Sequence, residues 1–456
     1  MTNCFLTRRR SSRPARMSRA LAARGTLHRA SLVLASQVLA LFVLATFSGA
    51  IPALARIADE EANWSRFRGP NGTGQADRDV FPANWSEQDY LWKRALPGVG
   101  NSSPVGWGNR LWVSSGDPQT GTATLVSFDT DNGKRLWERH FGGGTVAMHA
   151  RNSYASATPA LDAGQVYFAW AAAGEIHLAA LTHAGQQQWR ISVGRFEGPH
   201  GFAASPMVVD GVVCLQCDQA EDGYLVGVDA TTGKPLWRVD RPPGKASYAT
   251  PCVISAEFEG SPVRAVIVQS MTAGMQAIEV QSGSVVWELP HVLPARCVSS
   301  PLLADTLLVG ICGSGRRGKS LVGVTLAGER GQAPSTTLTL SKNLPYVPTP
   351  VVRDRLLFLW QDRGTVACID LDDGQPVWQE RVGGNFFGSP ILAGAKLYCI
   401  STTGNVVVLA ADREFAKLGE IELGESSNAT PAVHRGRMYL RTASTLACLP
   451  AQEKNE

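Results

Sequence analysis

The chain has 456 residues, of which 44% are hydrophobic, 18% are charged and 46 are glycine; this composition excludes a disordered or coiled-coil protein and fits a turn-rich, strand-rich globular one. The formal charge of +4 arises at the N-terminus: residues 1–55 hold eight arginines and no acid, and without them 35 Lys and Arg face 39 Asp and Glu. The remainder is weakly acidic, so the composition offers no footprint for nucleic acid.

In chain order, basic residues run from Arg8 to Arg29, followed by an uncharged, largely apolar run from Ala30 to Ala55 that ends in the small-residue site Ala53-Leu54-Ala55. This is the architecture of a secretory signal. The run is also long enough to span a bilayer, so an uncleaved anchor is the alternative. Either reading exports the protein, to the periplasm or the extracellular space, with membrane contact only through residues 30–55. Residues 56–89 form a lead-in. Its stretch FRGPNGTG (67–74) lacks the Lys-Ser/Thr of a phosphate loop and reads as a turn-rich segment packing across the downstream domain.

From residue 90 a repeat governs the sequence. A turn glycine is followed four residues later by tryptophan in FDTDNGKRLW (Gly133, Trp137), LTHAGQQQW (Gly185, Trp189), VDATTGKPLW (Gly233, Trp237), IEVQSGSVVW (Gly283, Trp287) and IDLDDGQPVW (Gly374, Trp378). A second element, Ser or Thr before proline and then a β-rich run, occurs at Pro104, Pro159, Pro206, Pro251, Pro301, Pro350, Pro390 and Pro431, spaced by 55, 47, 45, 50, 49, 40 and 41 residues. A period near 45 residues without helical periodicity is that of a four-stranded propeller blade. The expected fold is all-β, an eight-bladed β-propeller of four-stranded antiparallel blades over residues 90–449, with a short tail at 450–456. After Pro431 only three strands fit, at about 430–434, 437–442 and 445–449. Tyr90–Leu96 (YLWKRAL) supplies the missing outer strand, so the ring closes by pairing the two ends of the chain and leaves no open edge. Trp92, Trp137, Trp189, Trp237, Trp287 and Trp378 are assigned to docking one blade on the next. The blades after Pro301 and Pro390 lack the tryptophan, and aliphatic substitutes are expected there.

Of nine cysteines, eight come after residue 55. An even number in an exported protein permits disulfides, but Cys214, Cys312, Cys368, Cys399 and Cys448 lie in apolar strand-like runs. Cys368 and Cys448 align between repeats with Ser127, Ala180, Gly227 and Ala277, a position that requires a small residue. The Cys214–Cys217 pair has CxxC spacing, but a strand places residues three apart on opposite faces.

The Asp-x-x-x-Gly-x-x-x-Trp signature, together with eight blades, resembles the tryptophan-docked propellers of the quinoprotein (PQQ) alcohol dehydrogenases. It is more similar to their non-catalytic relatives, the PQQ-like repeat proteins, which include the propeller lipoprotein of outer-membrane β-barrel assembly. WSRFRGPNGTG (64–74), RNSYASATPA (151–160) and HGFAASP (200–206) resemble a secreted subgroup of these proteins. The dehydrogenase resemblance implies a quinone over a tryptophan floor, a calcium ion held by Glu, Asn and Asp, an Asp base and adjacent cysteines. The sequence has no Cys-Cys pair and no CxxCH, and no calcium trio falls on matching positions. PQQ and calcium are therefore not expected, and no catalytic or metal residue is assigned. The non-catalytic resemblance implies a scaffold that binds an envelope protein.

The loops entering each innermost strand converge on one mouth of a propeller channel. They carry Arg151, Asn152 and Tyr154; His200; Lys245 and Tyr248; Arg296; Tyr346; and Asn385. Four consecutive blades thus present Arg151, His200, Lys245 and Arg296, a positively biased half-ring for an anionic partner such as an acidic glycan or an acidic protein loop. The alternative is that these side chains bond the carbonyls that end the innermost strands. The readings taken forward are a monomeric scaffold in the cell envelope, a quinone-dependent dehydrogenase, and a glycan-binding or glycan-processing protein.

Overall fold

A computed structural model describes residues 63–76, 80–315, 317–326 and 334–452. The leader, its cleavage site and the last four residues of the tail lie outside the described residues.

Alternating apolar runs separated by glycine turns give strands throughout. Among the described residues these form eight sheets of four antiparallel strands, consecutive in the chain in all but one. Blade 1 contains Val105–Trp107, Arg110–Gly116, Ala123–Asp129 and Arg135–Phe141. Blades 2 to 7 begin at Ala160, Met207, Cys252, Leu302, Val351 and Ile391. Each repeat proline is therefore the residue immediately before an innermost strand, where its missing N–H costs no ladder bond. Those innermost strands are two or three residues long, apart from Cys252–Phe258 in blade 4.

Blade 8 is assembled from both ends of the propeller. Ala432–His434, Arg437–Arg441 and Thr445–Pro450 pair in order, and Trp92–Ala95 completes the sheet with Trp92 opposite Cys448 and Ala95 opposite Thr445. The expected architecture and its closure are thus observed.

The outer-strand tryptophans lie between blades. The indole N–H of Trp92 donates to the Thr130 carbonyl at 3.1 Å, Trp137 to His183 at 2.9 Å, Trp189 to Ala230 at 2.9 Å, Trp237 to Val280 at 2.8 Å and Trp378 to Asp412 at 2.9 Å. Every acceptor belongs to the following blade. The same rings cover that blade's turn glycine: a Cβ built on Gly133 would lie 2.5 Å from Trp92, and one on Gly233 would lie 2.6 Å from Trp189. These turn glycines also have φ near +70°. Both left-handed backbone and close approach therefore exclude a side chain. Trp287 stands opposite Ala277 in the same register; the next blade's turn, 327–333, lies outside the described residues.

The strand partner of each tryptophan is Ser127, Ala180, Gly227, Ala277, Cys368 or Cys448. The indole crosses that partner, which is why the position stays small. In blade 5, Leu338 takes the tryptophan's place opposite Gly323 and covers Gly374 of blade 6, the expected aliphatic substitute. Blade 7 departs from expectation. Gly419 occupies the position opposite Val408, and lead-in residues fill the space, with the Ala83 carbonyl so close that a Cβ on Gly419 would overlap it. Phe81 and Trp85 of this stretch are buried in the same core as Tyr398 and Ile421. The docking surface here is supplied from another part of the chain.

The Ser/Thr before each proline also acts between blades. Ser103 N–H donates to Thr158 Oγ1 at 2.9 Å, Thr158 to Ser205 at 3.0 Å, Thr250 to Ser300 at 3.0 Å, Ser300 to Thr349 at 2.9 Å, Thr349 to Ser389 at 2.9 Å, Ser389 to Thr430 at 2.9 Å and Thr430 to Ser103 at 3.3 Å. Backbone donors that no sheet ladder satisfies are thus paired around almost the whole ring.

Candidate functional site

The axial channel is stoppered by the lead-in. Residues 63–76 run across the innermost strands and bond to them as they pass. Gly106 N–H donates to the Trp64 carbonyl at 2.9 Å, Leu161 to Ser65 at 2.7 Å and Leu392 to Gly74 at 2.8 Å. Gln75–Ala76 adds a fifth, parallel strand to blade 7 beside Leu392 and Ala393. The Asn71 amide brackets Val253, accepting its N–H at 2.7 Å and donating to its carbonyl at 2.9 Å.

Arg68 is the centre of this stopper. It is fully buried and donates to the carbonyls of Gly72, Thr73, Thr349, Pro350 and Pro390 at 2.6–3.1 Å. Burial lowers its pKa to about 9. It remains charged at neutral pH, held by carbonyl dipoles from three parts of the chain rather than by an acid. Arg66, also buried, donates to the Pro251 carbonyl.

The result is a blind cup of about 480 Å³, within the range of small-ligand pockets. Phe67 of the stopper reaches its lining. Its wall includes Ser103, Thr158, Ser205, Thr250, Thr349, Ser389 and Thr430 from the Ser/Thr belt. The mouth brings together Arg151, Asn152, His200, Lys245, Tyr248, Arg296 and Tyr346 from five successive blade-entry loops. His149, Asn101, Asn428 and Phe387 join them.

Two expected mouth residues lie elsewhere. Tyr154 is turned under its loop, where its hydroxyl accepts from Val146 N–H at 3.2 Å and donates to the Val146 carbonyl at 3.3 Å. Asn385 is exposed beside the cup, and its carbonyl accepts from Thr402 N–H at 2.7 Å. Phe387, two residues on, takes the position in the lining. Sequence reading missed Phe387 and Phe67; neither has a repeat counterpart to mark it.

Among the described residues no Asp or Glu lines the cup. Two nearby acids, Asp362 and Asp218, are already engaged. Asp362 pairs with Lys319 at 2.9 Å and accepts the Tyr346 and Val347 N–H groups at 2.8 and 3.1 Å. Asp218 is buried against Arg241 at 2.7 Å. Arg151, Lys245 and Arg296 form no ion pair with any described acid. The guanidinium of Arg151 lies 4.7 Å from the Phe387 ring centre, and the Nε of Arg296 is buried without a partner. His149 and His200 stack at 5.6 Å. Burial, then Arg296 and His149, hold His200 below the usual imidazole range, so it is neutral at pH 7. Burial raises Tyr248 and Tyr346 against the pull of Arg296.

This lining does not fit a calcium-bound quinone. A hard cation needs several oxygen ligands, carboxylates among them, and the described lining of the cup offers cations, hydroxyls and the amides of Asn101, Asn152 and Asn428 without a carboxylate. Among the described residues no group of three His, Cys, Asp or Glu side chains could hold a metal ion. All eight described cysteines are buried, and none is in a disulfide. Cys214 and Cys217 pack in separate clusters on opposite faces of their strand, the first with Met207 and Val266, the second with Tyr224 and Phe202.

Fold and repeat chemistry together define a tryptophan-docked, eight-bladed propeller of the PQQ-repeat type. The sequence profile of the family described as outer membrane protein assembly factor BamB matches residues 74–215, 156–306 and 319–453, and the chain belongs to this family. It is 25% identical over 235 residues to the outer membrane protein assembly factor BamB of Xanthomonas campestris pv. campestris, covering 48% of this chain and 55% of the relative. It is 23% identical over 269 residues to that of Yersinia pestis, covering 55% and 64%. The matches thus span little more than half of those relatives' lengths. Solved structures with the same fold include a europium-containing methanol dehydrogenase (TM-score 0.61, 12% identity, 84% of this chain and 91% of that one). Another is BamB from Moraxella catarrhalis (TM-score 0.55, 12% identity, 80% and 98%).

Proposed function

We propose that this protein is an exported, non-enzymatic propeller that acts as a docking scaffold in the cell envelope and takes part in assembling outer membrane proteins. The family match across residues 74–453 carries this reading. Export rests on the leader, with the protein in the periplasm or extracellular space, free or held through residues 30–55. The partner for the scaffold is another envelope protein, met by a monomer. The mouth that gathers Arg151, His200, Lys245 and Arg296 adds a surface for an anionic partner.

The reading against an enzyme has chemical support. Among the described residues the cup presents no carboxylate base beside a nucleophile, and it does not fit the quinone and calcium that the dehydrogenase resemblance implies.

The test is reciprocal affinity capture from the envelope fraction, combined with deletion of the gene. Expected results are stoichiometric recovery of one envelope protein from either side and reduced outer membrane protein levels in the deletion strain. Recovery of the propeller alone, with an unchanged outer membrane, would refute the scaffold role.

A further inference from the structure

The belt of hydroxyls around the cup has a chemical consequence beyond holding blades together. Ser103, Thr158, Ser205, Thr349, Ser389 and Thr430 each accept a backbone N–H from the neighbouring blade. None of the six donates its own hydroxyl hydrogen to an acceptor among the described residues. A hydroxyl has one hydrogen to donate and two lone pairs, so each keeps a donor in hand, and all six line the cup. Thr250 adds a seventh hydroxyl to the wall.

The cup is therefore donor-rich at two levels. Hydroxyl donors ring the wall, and Arg151, Lys245 and Arg296 stand at the mouth with no ion-paired acid among the described residues. The charge is also one-sided. The cations come from the loops before blades 2, 4 and 5, while the loops before blades 6, 7, 8 and 1 contribute Tyr346, Phe387, Asn428 and Asn101. Aromatic faces at the rim and Phe67 below suit the C–H face of a ring, and the amides suit its hydroxyl groups. A small inorganic anion would use the donors but leave these faces uncovered. A polymer cannot thread a cup closed by residues 63–76, so only a chain end or a short oligomer enters.

We infer, resting on the reading of the mouth as an anion surface, that the cup binds a small anionic saccharide, a uronate or sulfated sugar of one or two rings. Its acidic group faces Lys245 and Arg296, and its ring lies over Phe67 or against Phe387. The site stands independently of the scaffold's protein partner, which the affinity capture tests by itself.

The experiment is calorimetric titration of the full chain, expressed with its own leader and recovered after export. The probes are digalacturonate, a sulfated disaccharide, neutral cellobiose, inorganic sulfate and an acidic tetrapeptide of Asp and Glu. At least one acidic disaccharide is expected to bind at least tenfold more tightly than cellobiose, sulfate or the peptide. Its binding is expected to weaken with added salt and to fall at least tenfold in the K245Q/R296Q variant. Because the Lys245 side chain is exposed, Lys245→Gln alone serves if the double variant fails to fold, with a loss of severalfold. Near-ultraviolet circular dichroism confirms the fold of each variant. Equal binding of cellobiose, unchanged binding in the variants, tighter binding of the peptide or of sulfate, or no binding by either acidic disaccharide would each overturn the inference.

Discussion

Replacing Trp92 by alanine tests the closure on which the whole ring depends. Trp92 is 5% exposed. It covers Gly133 of blade 1, packs 5.8 Å from the Tyr439 ring and bonds Thr130. Truncating a buried tryptophan costs about 3–5 kcal/mol, and an unpaired Thr130 carbonyl accounts for about 1 kcal/mol of it. Trp378 has the same N–H bond but is less completely buried, so Trp378→Ala should cost less than Trp92→Ala. The locations differ as well. Trp92 fastens a strand whose partners lie some 350 residues away, through Leu91 N–H to Cys448 at 2.9 Å and Leu96 N–H to Ser444 at 2.8 Å. Native-state hydrogen exchange should therefore accelerate in W92A at residues 92–95 and 445–448 first, whereas W378A should loosen blades 6 and 7. Urea denaturation followed by far-ultraviolet circular dichroism gives the magnitudes. If W92A were no less stable than W378A, or if exchange at 445–448 were unchanged, the assignment of Trp92 as the closing clasp would be wrong.

Three further outcomes are expected from the packing. His434 is buried; its Nε2–H donates to the Gly108 carbonyl at 2.7 Å, and its Nδ1 has no partner. Burial, with Arg435 and Arg437 nearby, lowers its pKa to about 4. The unfolded chain binds a proton near pH 6.5 that the folded chain refuses until about pH 4. Stability is thus intact above pH 6.5 and falls towards pH 4, by about 2 kcal/mol between pH 7.5 and 5. In His434→Gln this increment should vanish from the pH dependence of urea midpoints, and an identical dependence in both proteins would count against it. Gly233→Ala strains a φ of +74° and drives a methyl into Trp189; a loss of about 2 kcal/mol or more is expected in thermal melts, against little change for Gly211→Ala beyond the φ strain, since that glycine faces open space. The cysteines are buried, and burial pushes Cys214, Cys252, Cys368 and Cys448 up to about 12. An aromatic disulfide reagent should therefore label no thiol in residues 63–452 until denaturant is added; rapid labelling of the native protein would contradict the packing.

The sequence by itself determined the number of blades, their closure, the docking tryptophans and a strand position that stays small; the structure added that this position lies opposite the tryptophan. Each of the sequence readings is a local pattern repeated at a regular interval: a turn glycine, an indole four residues on, and a small residue at the position of Ser127, Ala180 or Cys448. The half-ring of Arg151, His200, Lys245 and Arg296 was legible for the same reason, because equivalent loops of a propeller converge. Tyr154 and Asn385 were misplaced because loop position fixes where a residue stands and not which way its side chain turns.

Only the tertiary structure decided what happens once rather than eight times. That residues 67–74 pack across the propeller was expected from their turn-rich composition, but where the stopper at 63–76 bonds was not: its contacts reach 182 residues to Val253 and 322 to Pro390. Nothing near Phe67 in the sequence announces that it floors a cup, or near Gly419 that residues 81–85 fill its missing tryptophan. The Ser/Thr belt lies between these cases: the residues were visible, but their hydroxyls proved to accept backbone N–H bonds from the neighbouring blade. Periodic contacts are written into local spacing, whereas a single long-range crossing depends on where the whole chain has already placed its carbonyls.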